Sequence, residues 1–290
     1  MTNTKRALTA LLTLLAAVTV LTACGDDAAD DAPLRIGSAS TPTMRAAAAV
    51  YAVGLSRAGT PATVDPAAVG TDAQLLEELS TGDIDLFPAF TGDLLTRLST
   101  SPEALGGEAL LTEVARALPQ GVAVGDPTGV SNRPQLLLAA GLRERYGVET
   151  LADCGRLPAG MPLVVLEQDA DTPTAFAACR PGRVEQVSEA RTVIDRVADG
   201  GALGVLPALT TASAGDLGDV RILQSEDAPR AQDLVPVYRS AALDKAALKQ
   251  LSRIAGELTT GVLAELGARV ARGEDPSAVA AQWLATGAVS

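Results

Sequence analysis

Hydrophobic positions along the chain follow two alternating patterns. Short apolar runs bounded by Gly, Pro or Asp predict β-strands, and apolar residues spaced three or four positions apart predict helices between them. The predicted strands cover residues 34–38, 84–87, 122–124, 163–166, 203–206, 220–223 and 234–238. Strands that alternate with helices indicate an α/β fold built on mainly parallel sheets.

The predicted helices fill the intervals between these strands. They cover residues 44–56 with Thr43 as the N-cap, residues 72–79, a segment opened by Gly92, residues 131–142 from Ser131 or Asn132, and residues 187–197. From Leu243 onward the chain is predicted to be helical in three pieces, separated near Thr260 and at residues 273–276.

The first 32 residues have a different pattern. Lys5 and Arg6 precede an apolar stretch over residues 7–21, which is shorter than the roughly 20 residues of a membrane-spanning helix and is typical of a secretory signal. The stretch ends in LTACG at residues 21–25, which matches the bacterial lipobox, where cleavage before Cys24 frees a thiol that receives lipid. We therefore expect a signal peptide at 1–23, a lipidated tether at 24–32, and a protein held on the outer face of the cell membrane. The alternative is an ordinary secretory signal in which Cys24 has no role.

Charge and composition restrict the chemistry further. The 290 residues carry a formal charge of −12, and removal of residues 1–23 takes away two positive charges and no acid, which leaves −14. This charge argues against nucleic acid or an acidic membrane surface as a partner. The chain has no His, so imidazole bases, His-containing triads and His metal sites are all excluded. We expect neither an enzyme nor a bound cofactor or metal.

The three cysteines are expected to have two different roles. With Cys24 assigned to lipid, Cys154 and Cys179 form an even pair in an oxidising location, so a disulfide is expected. A catalytic Cys would lack a His partner in this chain.

The segment at residues 79–92, LSTGDIDLFPAFTG, carries a resemblance to a known family. It resembles the GDIDLYPEYTGT segment of the osmoprotectant-binding proteins of ABC importers, which bind glycine betaine, choline or carnitine. Further similarity covers most of residues 33–290: the opening strand at 34–38, a helix-to-strand step at 193–204, a return strand at 234–239, and C-terminal helices at 258–260 and 280–284.

The resemblance implies a two-lobed type II periplasmic-binding-protein fold with two crossovers between the lobes. Lobe 1 would comprise residues 33–124 and 230–290, and lobe 2 residues 125–229. A small solute would bind in the cleft and stabilise the closed form through contacts with both lobes. The implied partners are this solute and a membrane ABC permease, with the chain itself a monomer.

Polar residues that follow predicted strands are the candidates for contact with the solute. Each of them is also a residue type that caps helices or makes turns. The candidates are Ser40, Thr41, Thr43, Thr91, Asn132, Thr210 and Thr211. Asp85 is expected to bond to backbone near the cleft and Asp83 to cap or turn; with no further ligands beside them, a metal site is not expected.

Aromatic residues make up only 2% of the chain, which bears on the solute. The family cradles a quaternary ammonium group with several rings, whose faces attract a cation. Here Phe90 takes the place of the motif's Tyr, and Ala89 that of its Glu. Phe176 is the expected ring from lobe 2, Tyr146 is expected to pack against a helix end, and Tyr51, Phe87 and Trp283 are assigned to the core. A four-ring cage is not expected, so either hydrogen bonds hold the ligand or it is not a betaine-like cation.

Three functions compete on this sequence. The favoured one is a lipoprotein that captures an osmoprotectant such as glycine betaine, choline or carnitine, or a related solute, for an ABC importer. A scaffold or signalling lipoprotein of the envelope that kept the fold without transport is the second. An enzyme of similar fold is disfavoured by the absence of His and of a clear nucleophile.

Overall fold

Two five-stranded sheets, each covered by helices, organise the chain in the computed structural model, which describes residues 32–167, 172–223 and 230–288. Residues 33–290 form one unit. The strands are β1 Leu34–Ser38, β2 Ala62–Val69, β3 Leu86–Phe90, β4 Val122–Val124, β5 Pro134–Ala139, β6 Leu163–Leu166, β7 Val184–Val187, β8 Leu203–Pro207, β9 Val220–Leu223 and β10 Leu234–Arg239. Their order is β2-β1-β3-β10-β4 in the first sheet and β7-β6-β8-β5-β9 in the second.

Ten α-helices are assigned within the described residues, and none of them has both the length and the hydrophobicity needed to cross a bilayer. They are α1 Pro42–Arg57, α2 Asp72–Thr81, α3 Thr91–Leu98, α4 Gly107–Ala117, α5 Ala140–Tyr146, α6 Ala190–Ala198, α7 Ala208–Ser213, α8 Lys245–Glu257, α9 Thr260–Ala271 and α10 Pro276–Trp283. Two 3₁₀ segments span Leu151–Arg156 and Thr172–Cys179.

The first sheet is buried on both faces, which explains its continuous apolar strands. In β3, Leu86 belongs to a core with the Ala-rich helix α1 and with α9 and α10, while Phe87 and Ala89 belong to a second core with α2, α3 and α4. β3 pairs in parallel with β1, and β10 runs antiparallel to both β3 and β4. The sheet is therefore mixed, and within it the expected parallel pairing joins β2, β1 and β3.

The second sheet repeats this arrangement and corrects one prediction. Residues 131–142 were expected to form a helix from Ser131 or Asn132, but β5 occupies their middle and pairs antiparallel with β8 and β9. Leu136 and Leu138 enter one core and Leu137 the other, so successive Leu residues are buried on opposite faces. A run of buried Leu has no periodicity that separates strand from helix, which is why the sequence pattern predicted a helix where the chain forms a strand.

The sequence pattern did not predict two further strands, β2 and β7. Each lies at the edge of its sheet and has mixed burial, and β2 contains Asp65 and Pro66. Edge strands tolerate Pro and polar residues, so their hydrophobic pattern is weak. Because β7 ends at Val187, helix α6 starts at Ala190 and not at the predicted 187.

The start of α1 and the bounds of β3 also differ from prediction. Thr41, not Thr43, caps α1: its Oγ1 accepts from the Met44 N–H at 3.3 Å, and Pro42 takes the first helical position. Pro favours that position because it lacks the N–H that would otherwise go unpaired. The third strand spans Leu86–Phe90, two or three residues later than the predicted 84–87.

Each sheet with its helices forms one lobe. The first sheet carries α1 to α4 and α8 to α10, and the second carries α5 and α6. Helix α7 follows β8 of the second sheet and packs mainly against α9 of the first lobe. The chain crosses between β4 and β5 and returns between β9 and β10. The boundaries at 124/125 and 229/230 remain a prediction. Residues 224–229 lie outside the described part, as do the predicted signal peptide at 1–23 and nearly all of the predicted tether at 24–32.

Candidate functional site

A cavity of about 440 Å³ lies where the carboxyl ends of strands from both lobes meet. From the first lobe, its lining includes the β1–α1 loop, the start of α2, and the end of β3 with the start of α3. From the second lobe, the end of β8 and the start of α7 contribute, together with Asn132 of the first crossover. This position is where ligands bind in folds of this type.

Six of the ten predicted ligand-binding residues line this cavity. They are Ser40, Thr41, Thr43, Phe90, Asn132 and Thr210. The hydroxyl of Thr41 is engaged in capping α1, and Asn132 Oδ1 accepts from the Leu209 N–H at 3.3 Å. Asn132 therefore keeps its amide nitrogen for another partner.

Thr91 and Thr211 do not line the cavity. Thr91 is buried, donates to the Ala231 carbonyl at 3.4 Å and accepts from the Asp233 N–H at 3.1 Å, so its hydroxyl joins the start of α3 to the segment before β10. Thr211 is buried and donates to the Pro207 carbonyl at 3.1 Å within the first turn of α7. Both hydroxyls satisfy backbone groups, a role that the loop-position argument cannot separate from ligand contact.

Asp85 lies away from the cavity, contrary to expectation. It is buried at the amino end of β3, whereas Phe90 at the carboxyl end lines the cavity. Its carboxylate pairs with Arg239 at 2.5 Å and accepts from the Arg35 N–H at 2.8 Å, which confirms the predicted bond to backbone. Its neighbour Asp83 accepts from the Thr81 hydroxyl at 2.6 Å. Within residues 32–167, 172–223 and 230–288, no group of three or more acidic or Cys residues could hold a metal ion.

Phe176 is a further correction. Its side chain is only 1% exposed and packs in a core of the second lobe that also contains Cys154 and Cys179. These two cysteines form a disulfide with a Cα–Cα distance of 4.8 Å. The ring is buried in this core and does not line the cavity.

The remaining aromatic residues lie in or against the cores. Tyr51 and Phe87 are fully buried, as expected, and burial raises the pKa of the Tyr51 hydroxyl far above its ordinary value. Trp283 packs partly buried against the first-lobe core and Tyr146 against the second. Among the described residues, Phe90 is thus the one aromatic side chain that lines the cavity.

Three charged residues of the cavity were missed by the sequence analysis: Asp72, Asp93 and Arg97. Asp72 is the first residue of α2, and Asp93 and Arg97 are one turn apart on α3. Arg97 Nε lies 4.0 Å from an Asp72 carboxylate oxygen. The loop-position rule would have found Asp72 if β2, the strand before it, had been predicted.

The pKa values of the Asp72 and Asp93 carboxyl groups are both raised. Burial raises the pKa of Asp72; the nearby Asp93 charge adds to this shift and Arg97 opposes it. Burial also raises the pKa of Asp93, opposed by a hydrogen bond from Gln232 and by Arg97. Asp93 is open to solvent but surrounded by the walls of the cleft, so its charged form is incompletely hydrated.

The sequence family that matches residues 32–286 is the substrate-binding domain of ABC-type glycine betaine transport systems. The chain belongs to this family. Its members are transporter binding proteins and not a class of enzymes. The resemblance carried by residues 79–92 is thereby confirmed. Among curated proteins, none matches the sequence of this chain.

Solved structures support the same fold for this family member. Apo YehZ from Escherichia coli superposes with a TM-score of 0.68 at 15% identity, over 89% of this chain and 100% of that one. A glycine betaine/carnitine/choline ABC transporter structure gives 0.69 at 15% identity, over 87% and 98%. Lactococcal OpuAC, closed on glycine betaine, gives 0.52 at 9% identity, over 88% and 95%. The two-lobed type II periplasmic-binding-protein fold is confirmed.

In this member of the glycine betaine transport family the two lobes touch beside the cavity. Leu209 of α7 is buried in the first-lobe core with Met44, Leu263 and Leu266. A Cβ added at Gly267 of α9 would lie 2.6 Å from the Thr43 hydroxyl, so α9 also approaches the start of α1 closely. Apolar contact at Leu209 therefore brings both lobes to the cavity wall, and the Asn132–Leu209 hydrogen bond fixes the second-lobe side of that wall.

Proposed function

We propose that this chain is the extracytoplasmic solute-capturing subunit of an ABC importer, held at the membrane by lipid on Cys24. Its solute would be a small polar compound of the osmoprotectant type, such as glycine betaine, choline, carnitine or a related molecule. The observation that carries the proposal is that Ser40, Thr43 and Phe90 line the same cavity as Asn132 and Thr210.

The proposed contacts divide between the two lobes. Phe90 would offer a ring face, Ser40 and Thr43 their hydroxyls, and Asn132 and Thr210 an amide nitrogen and a hydroxyl from the other side. A solute that touches both sides binds the closed form better than the open one and shifts the protein toward it. Delivery to a permease would follow from recognition of that closed form.

Thermal shift and isothermal titration calorimetry with osmolytes, amino acids and sugars test the proposal. A solute that binds the native state raises the melting temperature by mass action. Phe90→Ala and Asn132→Ala should each weaken binding of any compound that binds the wild type, whereas Ser101→Ala, at an exposed residue outside the cavity, should not. If no compound binds, the solute-capture proposal fails and the envelope scaffold becomes the better explanation.

The lipid anchor needs its own test. Expression of the full chain in a bacterial host should give a membrane-bound product whose N-terminal peptide begins at a lipid-modified Cys24, as measured by mass spectrometry. Cys24→Ala should remove the lipid and prevent membrane retention. A wild-type product that is cleaved elsewhere and released without lipid would contradict the anchor while leaving solute capture untouched.

A further inference from the structure

The chemistry of the cavity narrows the class of solute. A trimethylammonium group has no N–H and is held by ring faces, and cages built for it use several aromatic side chains. In the described part of the chain only Phe90 supplies a ring to the cavity. One ring face leaves most of a quaternary ammonium group without a matching surface.

Charge in the cavity favours a cation nonetheless. Asp72 and Asp93 face a single guanidinium, that of Arg97, so the charged lining has an excess of one negative charge. The Asp72 side chain is 16% exposed against 51% for Arg97, so the guanidinium is the better hydrated member of this pair. A positively charged ligand group would complete the pairing of the carboxylates.

The polar groups of the cavity also favour a ligand that donates hydrogen bonds. Carboxylates only accept hydrogen bonds, and the Ser40, Thr43 and Thr210 hydroxyls can accept as well as donate. An N–H cation would form short charge-assisted bonds with Asp72 or Asp93. A quaternary ammonium group would displace their water without replacing the hydrogen bonds, which is costly for a partly buried carboxylate.

We infer that the solute of this cavity is a small organic cation with N–H donors, a primary or secondary ammonium, recognised by Asp72 and Asp93 beside Phe90. The inference rests on the proposed solute-capture function and names its ligand class. It departs from the quaternary ammonium compounds that appear in the descriptions of the family and of its solved structures.

Matched pairs that differ only in N-methylation test the inference. Calorimetry on the purified full chain would compare ethanolamine with choline and sarcosine with glycine betaine. The N–H member of at least one pair should bind at least about tenfold more tightly than its quaternary partner, a difference that calorimetry resolves readily. Asp93→Asn should weaken that binding by about tenfold, and Asp72→Asn serves as a second variant if the first fails to fold.

The control and the contrary outcomes are distinct. Asp199→Asn, at the exposed residue that follows α6, should leave affinity unchanged. If choline and glycine betaine bind as tightly as their N–H partners or more so, the inference is overturned and the importer function stands. If none of the four compounds binds, both the inference and the proposed capture of such solutes are overturned.

Discussion

Asp93 and Gln232 hold each other by two hydrogen bonds. The Asp93 N–H donates to Gln232 Oε1 at 3.0 Å, and Gln232 Nε2 donates to an Asp93 carboxylate oxygen at 2.8 Å. The Gln232 carbonyl also accepts from the Asn132 N–H at 2.8 Å. One residue of the return crossover thus orients an acidic group of the cavity and fixes the first crossover beside it.

Replacement of Gln232 by Ala should weaken solute binding. The Asp93 carboxylate would lose the donor that orients it, and one hydrogen bond of this kind contributes about 1 kcal/mol, so we expect affinity to fall by about 3- to 10-fold. Calorimetry with whichever probe binds the wild type measures this. Gln282→Ala, at an exposed residue of α10, is the control. Unchanged affinity in Gln232→Ala would contradict a role for Gln232 in positioning Asp93.

Binding of a cationic solute should weaken in acid. Burial raises the pKa of Asp72 and Asp93 above the ordinary value of 3.8, so these carboxylates take up protons at a higher pH than free aspartate does. A protonated carboxyl no longer pairs with a cation. As the pH is lowered, affinity should therefore begin to fall while the pH is still above 3.8. Titrations across pH with ethanolamine would show this, and Asp93→Asn should flatten the profile.

Stability without solute should respond to pH in the opposite direction. In the window between the unfolded and the raised folded pKa, the folded state binds protons that the unfolded chain has lost. These two groups therefore make the free energy of unfolding decrease as pH rises through that window. Urea unfolding at several pH values, wild type against Asp93→Asn, isolates the contribution of Asp93. An identical pH dependence in both proteins would contradict it.

Gly92 should be intolerant of a side chain. A Cβ at this second residue of α3 would lie 2.5 Å from the Ala231 carbonyl oxygen, which is backbone and cannot move aside cheaply. We expect Gly92→Ala to lower the free energy of unfolding by about 1–3 kcal/mol, as overpacking does. Gly256→Ala in α8 is the matched control, since no atom lies within 4 Å of its added Cβ. There the higher helix propensity of Ala should stabilise by about 0.5–1 kcal/mol, as measured by chemical denaturation.

Asp85 should matter for stability and not for binding. Asp85→Ala leaves the partly exposed Arg239 guanidinium and the Arg35 N–H without their acceptor, and we expect a loss of about 2–4 kcal/mol. Asp83→Ala, at the exposed neighbour, should cost less than about 0.5 kcal/mol. Denaturation and calorimetry on both variants test this together. A loss of affinity in Asp85→Ala with unchanged stability would instead return Asp85 to the binding site.

The disulfide should stabilise the second lobe. Cys154 and Cys179 are 25 residues apart, and closure of such a loop contributes about 3 kcal/mol in the chain-entropy model. The Cys154→Ser/Cys179→Ser double variant should unfold at a lower urea concentration, with a free energy of unfolding lower by about 3 kcal/mol, and should keep its solute affinity. Reducing agent should destabilise the wild type and leave the double variant unchanged; a wild type indifferent to reductant would argue against the bond.

Local pattern predicted six of the ten strands closely, including the edge strands β4 and β9. β1, β4, β6, β8, β9 and β10 lie within a residue of their predicted bounds, because each is an apolar run bounded by turn residues. β5 was mistaken for a helix since its consecutive Leu residues are buried on both faces, and β2 and β7 have too little buried surface to show a pattern. These errors arise where burial is decided by neighbouring elements.

The sequence by itself determined the alternation of strands and helices, the family through residues 79–92, and the pairing of the two cysteines left for a disulfide, because each depends on local periodicity, on a contiguous motif or on a count. Only the tertiary structure decided which polar side chains share a cavity. It brought Asp93 to Gln232, which lies 139 positions away, and sent Phe176 into a core. Side chains of the same type serve as caps, core or ligand contacts according to which distant segment packs against them, and this packing is a property of the whole fold.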